Sequence, residues 1–260
     1  MAKLTKQQAK LHAQACEILQ QDVLSLPERE FVLEHWREDA NHVNSPAGAF
    51  MTPFELANSF AYACSMDEPG RYIDLCAGIG ALSFHLHQYS LRNSGETEFV
   101  CVEINPDYAE VGRKVLPEAT WIVADIFDIP NMDLGHFDVA IGNPPFGRID
   151  RNGNSGPNYD GPQFEYHVID IASQIADDGF FIIPQESAPF RFSGRQSFKE
   201  ETTPKHNKFL SETGFQMSCV SIDTSFARNM WRGTSPSVEI VAIKFPEPRL
   251  THEPGPAMAM

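Results

Sequence analysis

Positive charge is scarce in this sequence. Its 260 residues hold 20 lysines and arginines against 35 aspartates and glutamates, a formal net charge of −15. Affinity for a polyanion comes largely from cations that neutralise phosphates, so a basic surface spread over the whole chain is excluded. Long apolar runs are also missing. Hydrophobic residues make up 42% of the chain in short stretches, none near the roughly 18 consecutive apolar residues of a membrane span. The opening stretch MAKLTKQQAKLHAQ is polar and lacks the apolar centre of a signal peptide. The expectation is a soluble, cytoplasmic protein with no membrane partner. Cysteines are few: Cys16, Cys64, Cys76, Cys101 and Cys219 are odd in number and widely spaced, with no CxxC pair and no histidines at zinc spacing. That excludes a disulfide framework and predicts no metal site. No internal repeat is present.

The few cations are unevenly placed. Residues 187–232 carry seven (Arg191, Arg195, Lys199, Lys205, Lys208, Arg228 and Arg232) against Glu200, Glu201, Glu212 and Asp223, a local +3 that leaves −18 elsewhere. A solvated surface and a local contact for nucleic acid both fit this clustering.

The length suits one large α/β domain with extensions rather than two domains. Three helix starts pair a hydroxyl with an amide or acid three residues on: Thr5 with Gln8, Ser25 with Glu28, and Thr52 with Glu55. The first two predict helices over residues 6–21 and 26–38, an appendage to the main domain. The third helix begins with Pro53 and runs to about Cys64.

From Arg71 short apolar runs alternate with helical stretches, the pattern of a doubly wound, mainly parallel sheet. Seven strands are expected, over residues 72–75, 98–103, 120–124, 137–141, 179–183, 216–222 and 237–245. The last two are joined by a loop too short for a helical crossover, which predicts an antiparallel strand at one edge. Residues 147–161 and 189–204 read as irregular, mobile loops. The expected organisation is a helical extension over 1–45, a catalytic domain over 46–246 and a flexible proline-bearing tail over 247–260.

The run Asp74-Leu75-Cys76-Ala77-Gly78-Ile79-Gly80 follows a strand and opens a helix, so its glycines lie where the chain turns tightly and a ligand approaches the backbone. It is not the GxGxxG fingerprint, because Ser83 stands where the third glycine belongs. Cys76 reads as a small packing residue. The next strand ends in Glu103, placed to accept ribose hydroxyls, and the third in Asp125-Ile126, an acceptor for an adenine amino group beside an aliphatic cover. Each acid alone fits a helix cap; three acids after three successive strands point to a nucleoside site.

Asn143-Pro144-Pro145-Phe146 follows the fourth strand, at the same carboxyl edge. Consecutive prolines fix the backbone and remove donors, leaving carbonyls to accept. An exocyclic amino nitrogen is a poor nucleophile because its lone pair is delocalised into the ring. The Asn143 side-chain oxygen and the Pro144 carbonyl are two acceptors that favour a pyramidal nitrogen, and Phe146 offers a face for an extruded base. Tyr166 reads either as support for a base pocket or as a core tyrosine. Phe190 with Phe192, near Arg191 and Arg195, reads either as an aromatic lip for nucleic acid or as ordinary packing.

DLCAGIGALS, VEIN, ADIFD and NPPF, in this order and spacing, resemble the class I S-adenosylmethionine-dependent methyltransferases, specifically the amino-group branch. The resemblance spans residues 50–245, about three quarters of the chain. It implies that Ala77, Gly78 and Gly80 pass beneath the methionine part of the cofactor and that Asp74 orders that loop or meets its ammonium. It further implies that Glu103, with Ile104 beside it, binds ribose and that Asp125 and Ile126 hold adenine. The segment FMTPFELA resembles the motif ahead of the glycine loop in gamma-group DNA adenine-N6 methyltransferases, where residues such as Thr52 wall the methionine end, near Asn143.

The expected activity is methyl transfer to adenine N6 in DNA. RNA adenine or a protein amide is the first alternative, with Phe146 in place of the tyrosine usual in protein-amide enzymes arguing for a base. An acidic decoy that keeps the fold is the second. About 70 residues follow the fifth strand, too few for the separate recognition domain common in the gamma group. Short or weak sequence specificity is therefore expected, with a protein partner able to supply more.

Overall fold

The computed structural model describes residues 4–38, 50–64, 70–93, 95 and 97–246. The expected boundary at residue 45 and the tail over 247–260 lie outside them. Seven α-helices and nine strands follow in chain order among the described residues: α1 (Lys6–Ile18), α2 (Leu26–His35), α3 (Phe54–Cys64), β1 (Arg71–Leu75), α4 (Ala81–Asn93), β2 (Glu98–Glu103), α5 (Pro106–Val115), β3 (Thr120–Val123), β4 (Phe137–Gly142), α6 (Phe164–Ala172), β5 (Ala176–Pro184), β6 (Phe190–Arg191), β7 (Lys199–Glu200), α7 (Pro204–Thr213), β8 (Ser218–Cys219) and β9 (Val238–Lys244).

Helix α1 opens on a reciprocal cap, Gln8 N donating to Thr5 Oγ1 at 3.2 Å and Thr5 N to Gln8 Oε1 at 2.9 Å. Ser25 N donates to Glu28 Oε2 at 2.8 Å ahead of α2. The third expected cap is different: helix α3 begins at Phe54, and the Thr52 hydroxyl serves another group, described below. Helices α1 and α2 pack against the body. Arg29 Nη1 donates to both Glu118 carboxylate oxygens, at 2.8 and 2.9 Å. Arg232 covers the carbonyl end of α2, donating to the Trp36 carbonyl and, at 2.9 Å each, to the Glu34 carbonyl and Glu38 Oε2.

The sheet runs β3-β2-β1-β4-β5-β9-β8. Every pairing is parallel except those of β9, which lies antiparallel to both β5 and β8. Side chains alternate between two apolar layers, Tyr72, Val139 and Ile141 facing one and Ile73, Leu75 and Ala140 the other. Two expectations change in detail. The strand expected over 216–222 pairs only at Ser218–Cys219, because Ser221 adopts a left-handed φ of 60° that turns the chain off the ladder. The irregular stretch over 189–204 contains a ribbon, β6 paired antiparallel with β7.

Strand order reverses between β1 and β4, which lie side by side with Asp74 opposite Ile141. Crossovers leave that point in opposite directions and open a crevice at the carboxyl ends of the two strands. Both the glycine loop after β1 and the NPPF segment after β4 emerge there.

Asp74 sits behind the loop at 1% exposure and accepts a 2.7 Å hydrogen bond from the Ser83 hydroxyl of α4, while its Oδ1 has no partner. Burial pushes its pKa up to about 7, against the lowering pull of Ser83 and with a further push from Glu103. A carboxyl raised from about 3.9 when unfolded is fully stabilising below that value, and its contribution is lost as pH rises through 7. Asp74→Asn keeps the position neutral. Urea unfolding should therefore show the wild type losing on the order of 2–3 kcal/mol relative to Asp74→Asn between about pH 5 and pH 8. A difference that does not change with pH would show that the carboxyl is not held neutral.

Candidate active site

The glycine loop is a chain of left-handed residues, with φ of 72° at Cys76, 58° at Gly78 and 87° at Gly80. A Cβ on Gly80 would come within 3.0 Å of the Trp121 ring, so the position needs glycine on both counts. Cys76, a non-glycine residue in this region, carries the backbone strain found at ligand clamps. Burial pushes its thiol well above the usual range, leaving it protonated and consistent with packing. Glu103, at the end of β2, fixes the loop. Its Oε2 accepts from Gly78 N at 2.8 Å and its Oε1 from Asn105 N at 2.9 Å. Burial raises its pKa, and those backbone donors oppose the rise.

A cavity of about 380 Å³ lies against this loop, within the roughly 300–1,000 Å³ of small-molecule sites. Gly78, Glu103, Ile104, Asp125, Ile126 and Asn143 all line it. Asp125 also caps the turn that follows, its Oδ1 accepting from Phe127 N at 3.2 Å. Glu103, Asp125 and Asp150 outnumber Arg151 on the wall, an electrostatic setting for a cationic ligand. Asp74, Ala77, Gly80 and Thr52 stand one layer back. Ala77 N continues the sheet pairing to the Val102 carbonyl at 2.9 Å.

Asn143 has a fixed amide. Its Nδ2 donates to the Phe50 carbonyl at 3.2 Å and to Thr52 Oγ1 at 2.9 Å. The Phe50 carbonyl only accepts, so the amino group must face it and the oxygen must face away. That oxygen, Oδ1, is buried and has no hydrogen-bond partner. Among the described residues nothing donates to the Pro144 carbonyl either. Pro145 lines the cavity, and Phe146 stands beside it with its ring edge-on to Trp231 at 6.2 Å. The Trp231 indole Nε1 is likewise buried without a partner.

The loop over 147–161, which supplies the wall from Ile149 to Asn152, is irregular yet closely tied. Gly147 N donates to Glu165 Oε2 at 2.8 Å and Gly156 N to His167 Nδ1 at 2.9 Å. Asn158 N and Tyr159 N both donate to Asp170 Oδ2 at 2.7 Å. Glu165, His167 and Asp170 are fully buried on α6, so the helix holds the loop from below.

Several expected contacts lie elsewhere. Tyr166 is a core residue: it is fully buried, stacked on Phe209 at 4.4 Å and donates its hydroxyl to the Ser187 carbonyl at 2.7 Å. Phe190 is 2% exposed, so the lip reading fails for it; the aromatic that faces outward on this ribbon is Phe198, 49% exposed. Arg191 is buried as well, bonded to the Ala188 and Phe190 carbonyls and near Glu201. Arg195 is exposed and lines a separate cavity. The sequence reading passed over Met51, Tyr108, Arg151 and Phe164, which line the main cavity, and Trp231. Met51 lay inside the quoted FMTPFELA segment, and Tyr108 follows the Asn105-Pro106 cap one turn into α5; the other three carried no local signal.

No protein-family model and no curated protein sequence matches the chain. Solved structures do. A Listeria monocytogenes protein assigned to the class I S-adenosylmethionine-dependent methyltransferases superposes with a TM-score of 0.62 at 15% identity, covering 96% of this chain and 77% of its own. A type I restriction-modification methyltransferase subunit from Streptococcus thermophilus gives 0.59 at 16% identity, covering 85% of this chain and 48% of its own. A modification subunit assigned to a type I restriction enzyme from Vibrio vulnificus gives 0.58 at 12%, covering 85% and 50%. This chain thus spans about half the length of those two subunits. The strand order, the antiparallel β9 and these superpositions agree: the chain has the fold of the class I S-adenosylmethionine-dependent methyltransferases.

Proposed function

We propose that the protein transfers a methyl group from S-adenosylmethionine to the exocyclic N6 of adenine in DNA. The observation that carries the reading is Asn143 Oδ1, a buried acceptor without a partner, held by Phe50 and Thr52 at the wall of a nucleoside-sized cavity. Leaving a buried acceptor unsatisfied costs on the order of 1–3 kcal/mol. A site that binds an amino group recovers that cost in the complex.

The cavity fits the cofactor by charge and by donor set. Glu103 and Asp125 present carboxylates for ribose hydroxyls and an adenine amine, Ile104 and Ile126 flank them, and the acidic wall suits a sulfonium. Bound there, the cofactor supplies an electrophilic methyl group. The chain's own work is orientation. Asn143 Oδ1 and the Pro144 carbonyl accept the two amino hydrogens, freeing the nitrogen lone pair and aiming it along the transfer line. Phe146, braced by Trp231, offers a face to the extruded base, and the Trp231 Nε1 donor matches a ring nitrogen. No residue is needed to remove a proton before transfer, because the nitrogen loses it afterwards.

DNA is favoured over other amino acceptors on two counts: Phe146 follows the prolines where protein-amide enzymes carry tyrosine, and two fold neighbours are type I restriction-modification subunits. The same neighbours are parts of assemblies, which favours a protein partner for sequence specificity.

Labelled S-adenosylmethionine incubated separately with duplex DNA, single-stranded DNA, RNA and protein, followed by digestion and mass analysis, tests the reading. The expected product is N6-methyladenine in DNA, with Asn143→Ala reducing transfer by about 100-fold or more while cofactor affinity holds. Label in another acceptor would reassign the substrate. No label with the cofactor bound would sink the catalytic reading.

Glu103→Gln puts an amide nitrogen where one of two backbone donors now finds an acceptor. Calorimetric titration should show cofactor affinity reduced by about tenfold or more, the scale of a lost hydrogen bond to a charged group. Unchanged affinity would remove Glu103 from the binding site.

A further inference from the structure

Of the seven cations over residues 187–232, five are held in ion pairs: Arg191 and Lys199 with Glu201, Lys205 with Glu186, Lys208 with Asp160 and Glu212, and Arg232 with Glu38. The other two, Arg195 and Arg228, are exposed, and their side chains form no hydrogen bond or ion pair with the described residues. These two line one cavity together. It measures about 200 Å³ and opens between Gln185, just past the end of β5, and Val238, at the start of β9.

The cavity is built on cross-tied loops. Asp223 Oδ1 accepts from Gly194 N at 3.0 Å and from Ser225 N at 2.8 Å, joining the loop of Arg195 to the turn of Arg228. Thr224 N donates to Ser193 Oγ at 3.0 Å. Glu239, buried beneath, is saturated by Gln185 Nε2, Phe192 N, Ser193 N and the Ser193 hydroxyl. The acids closest to the cavity therefore have other donors. Glu201, held low chiefly by Lys199, feels Arg195 only as a minor influence. The guanidinium charge is left for an external anion. Phe198, Phe226 and Met230, exposed at 49%, 45% and 42%, lie on the same segments and offer apolar faces to bases.

The cavity lies at the sheet edge that carries Asn143, with β9 two places from β4, roughly 10 Å away at about 4.8 Å per strand. That span is about three nucleotide steps along one strand. We infer that Arg195 and Arg228 clamp a backbone phosphodiester of the nucleic acid whose adenine enters at Asn143, a subsite that rests on the proposed methyl transfer to a base.

The test is binding of a short labelled DNA duplex, followed by anisotropy across a salt series, for the wild type, Arg195→Ala, Arg228→Ala, the double alanine variant and the double lysine variant. The slope of log affinity against log salt should fall by about 1 in all when both arginines are removed, the share of one phosphate, with affinity down roughly threefold or more for each single variant, and the lysine pair should restore most of the slope. Cofactor affinity should stay unchanged. An unaltered slope in the double alanine variant would overturn the clamp, as would displacement of the duplex by inorganic phosphate at matched phosphate concentration, which marks a free-anion site. A labelled single-stranded RNA arm with the same arginine dependence supports a phosphodiester clamp and reassigns the polymer. Methylation assayed alongside separates the two ideas. Arginine-dependent binding without methyl transfer leaves the clamp standing and the adenine reading fallen; methylation with an unchanged KM in the double alanine variant does the reverse.

Discussion

The reversal of strand order between β1 and β4 is the constraint on which the other features of the site depend. Neighbouring strands whose crossovers diverge leave a crevice at their carboxyl ends, and two segments emerge into that gap. One is the glycine loop, which needs left-handed residues to turn back into α4 and an outside acceptor for the amide of Gly78. Glu103, from the adjoining strand β2, is that acceptor, so a carboxylate of the cavity wall and the shape of the loop are one interaction. The other is the NPPF segment, whose asparagine is oriented from across the crevice by Phe50 and Thr52.

Buried polar groups in a folded protein are nearly all satisfied, and the exceptions need a reason. This chain satisfies them with some thoroughness where the task is structural: Glu239 takes four donors, and Asp170 binds two backbone amides and an asparagine amide. Seven buried side-chain atoms among the described residues nonetheless lack a partner, among them Asp74 Oδ1 and ring nitrogens of His85, His87 and His206; Asn143 Oδ1 and Trp231 Nε1, an acceptor and a donor, are the two in or against the NPPF segment. On the proposed reading a ligand completes the two at that segment.

Much of the fold was legible because its signals are local. The Thr5 cap, the apolar strand runs and the acids at the ends of β2 and β3 follow from neighbouring residues, and the structure carries them where the pattern put them. What escaped was set by tertiary contact. Glu165, His167 and Asp170 interrupt an otherwise apolar helix, and only the fold reveals that they face a loop and hold it; read alone, residues 147–161 looked mobile. Phe190 and Arg191 sit in a stretch rich in arginine and aromatics, yet in the ribbon with β7 both are buried, and Phe198 is the one left exposed. The Thr52 hydroxyl read as a helix cap because capping is the commoner use of that residue, and its actual partner lies 91 positions away.

The same charge bears differently on two ligands. A cavity walled by Glu103, Asp125 and Asp150 in a chain of net charge −15 favours a cationic ligand. A polyanion meets the opposite field, and the local surplus of cations over 187–232 is mostly consumed by internal ion pairs. On the proposed reading, nucleic acid is then held by few phosphate contacts and by apolar faces, since stacking is insensitive to the sign of the surrounding charge. Few phosphate contacts give weak nonspecific binding, because that term is almost wholly electrostatic. On that reading the search of duplex DNA by this chain alone is poor, and a partner that itself binds the polymer would supply the missing affinity.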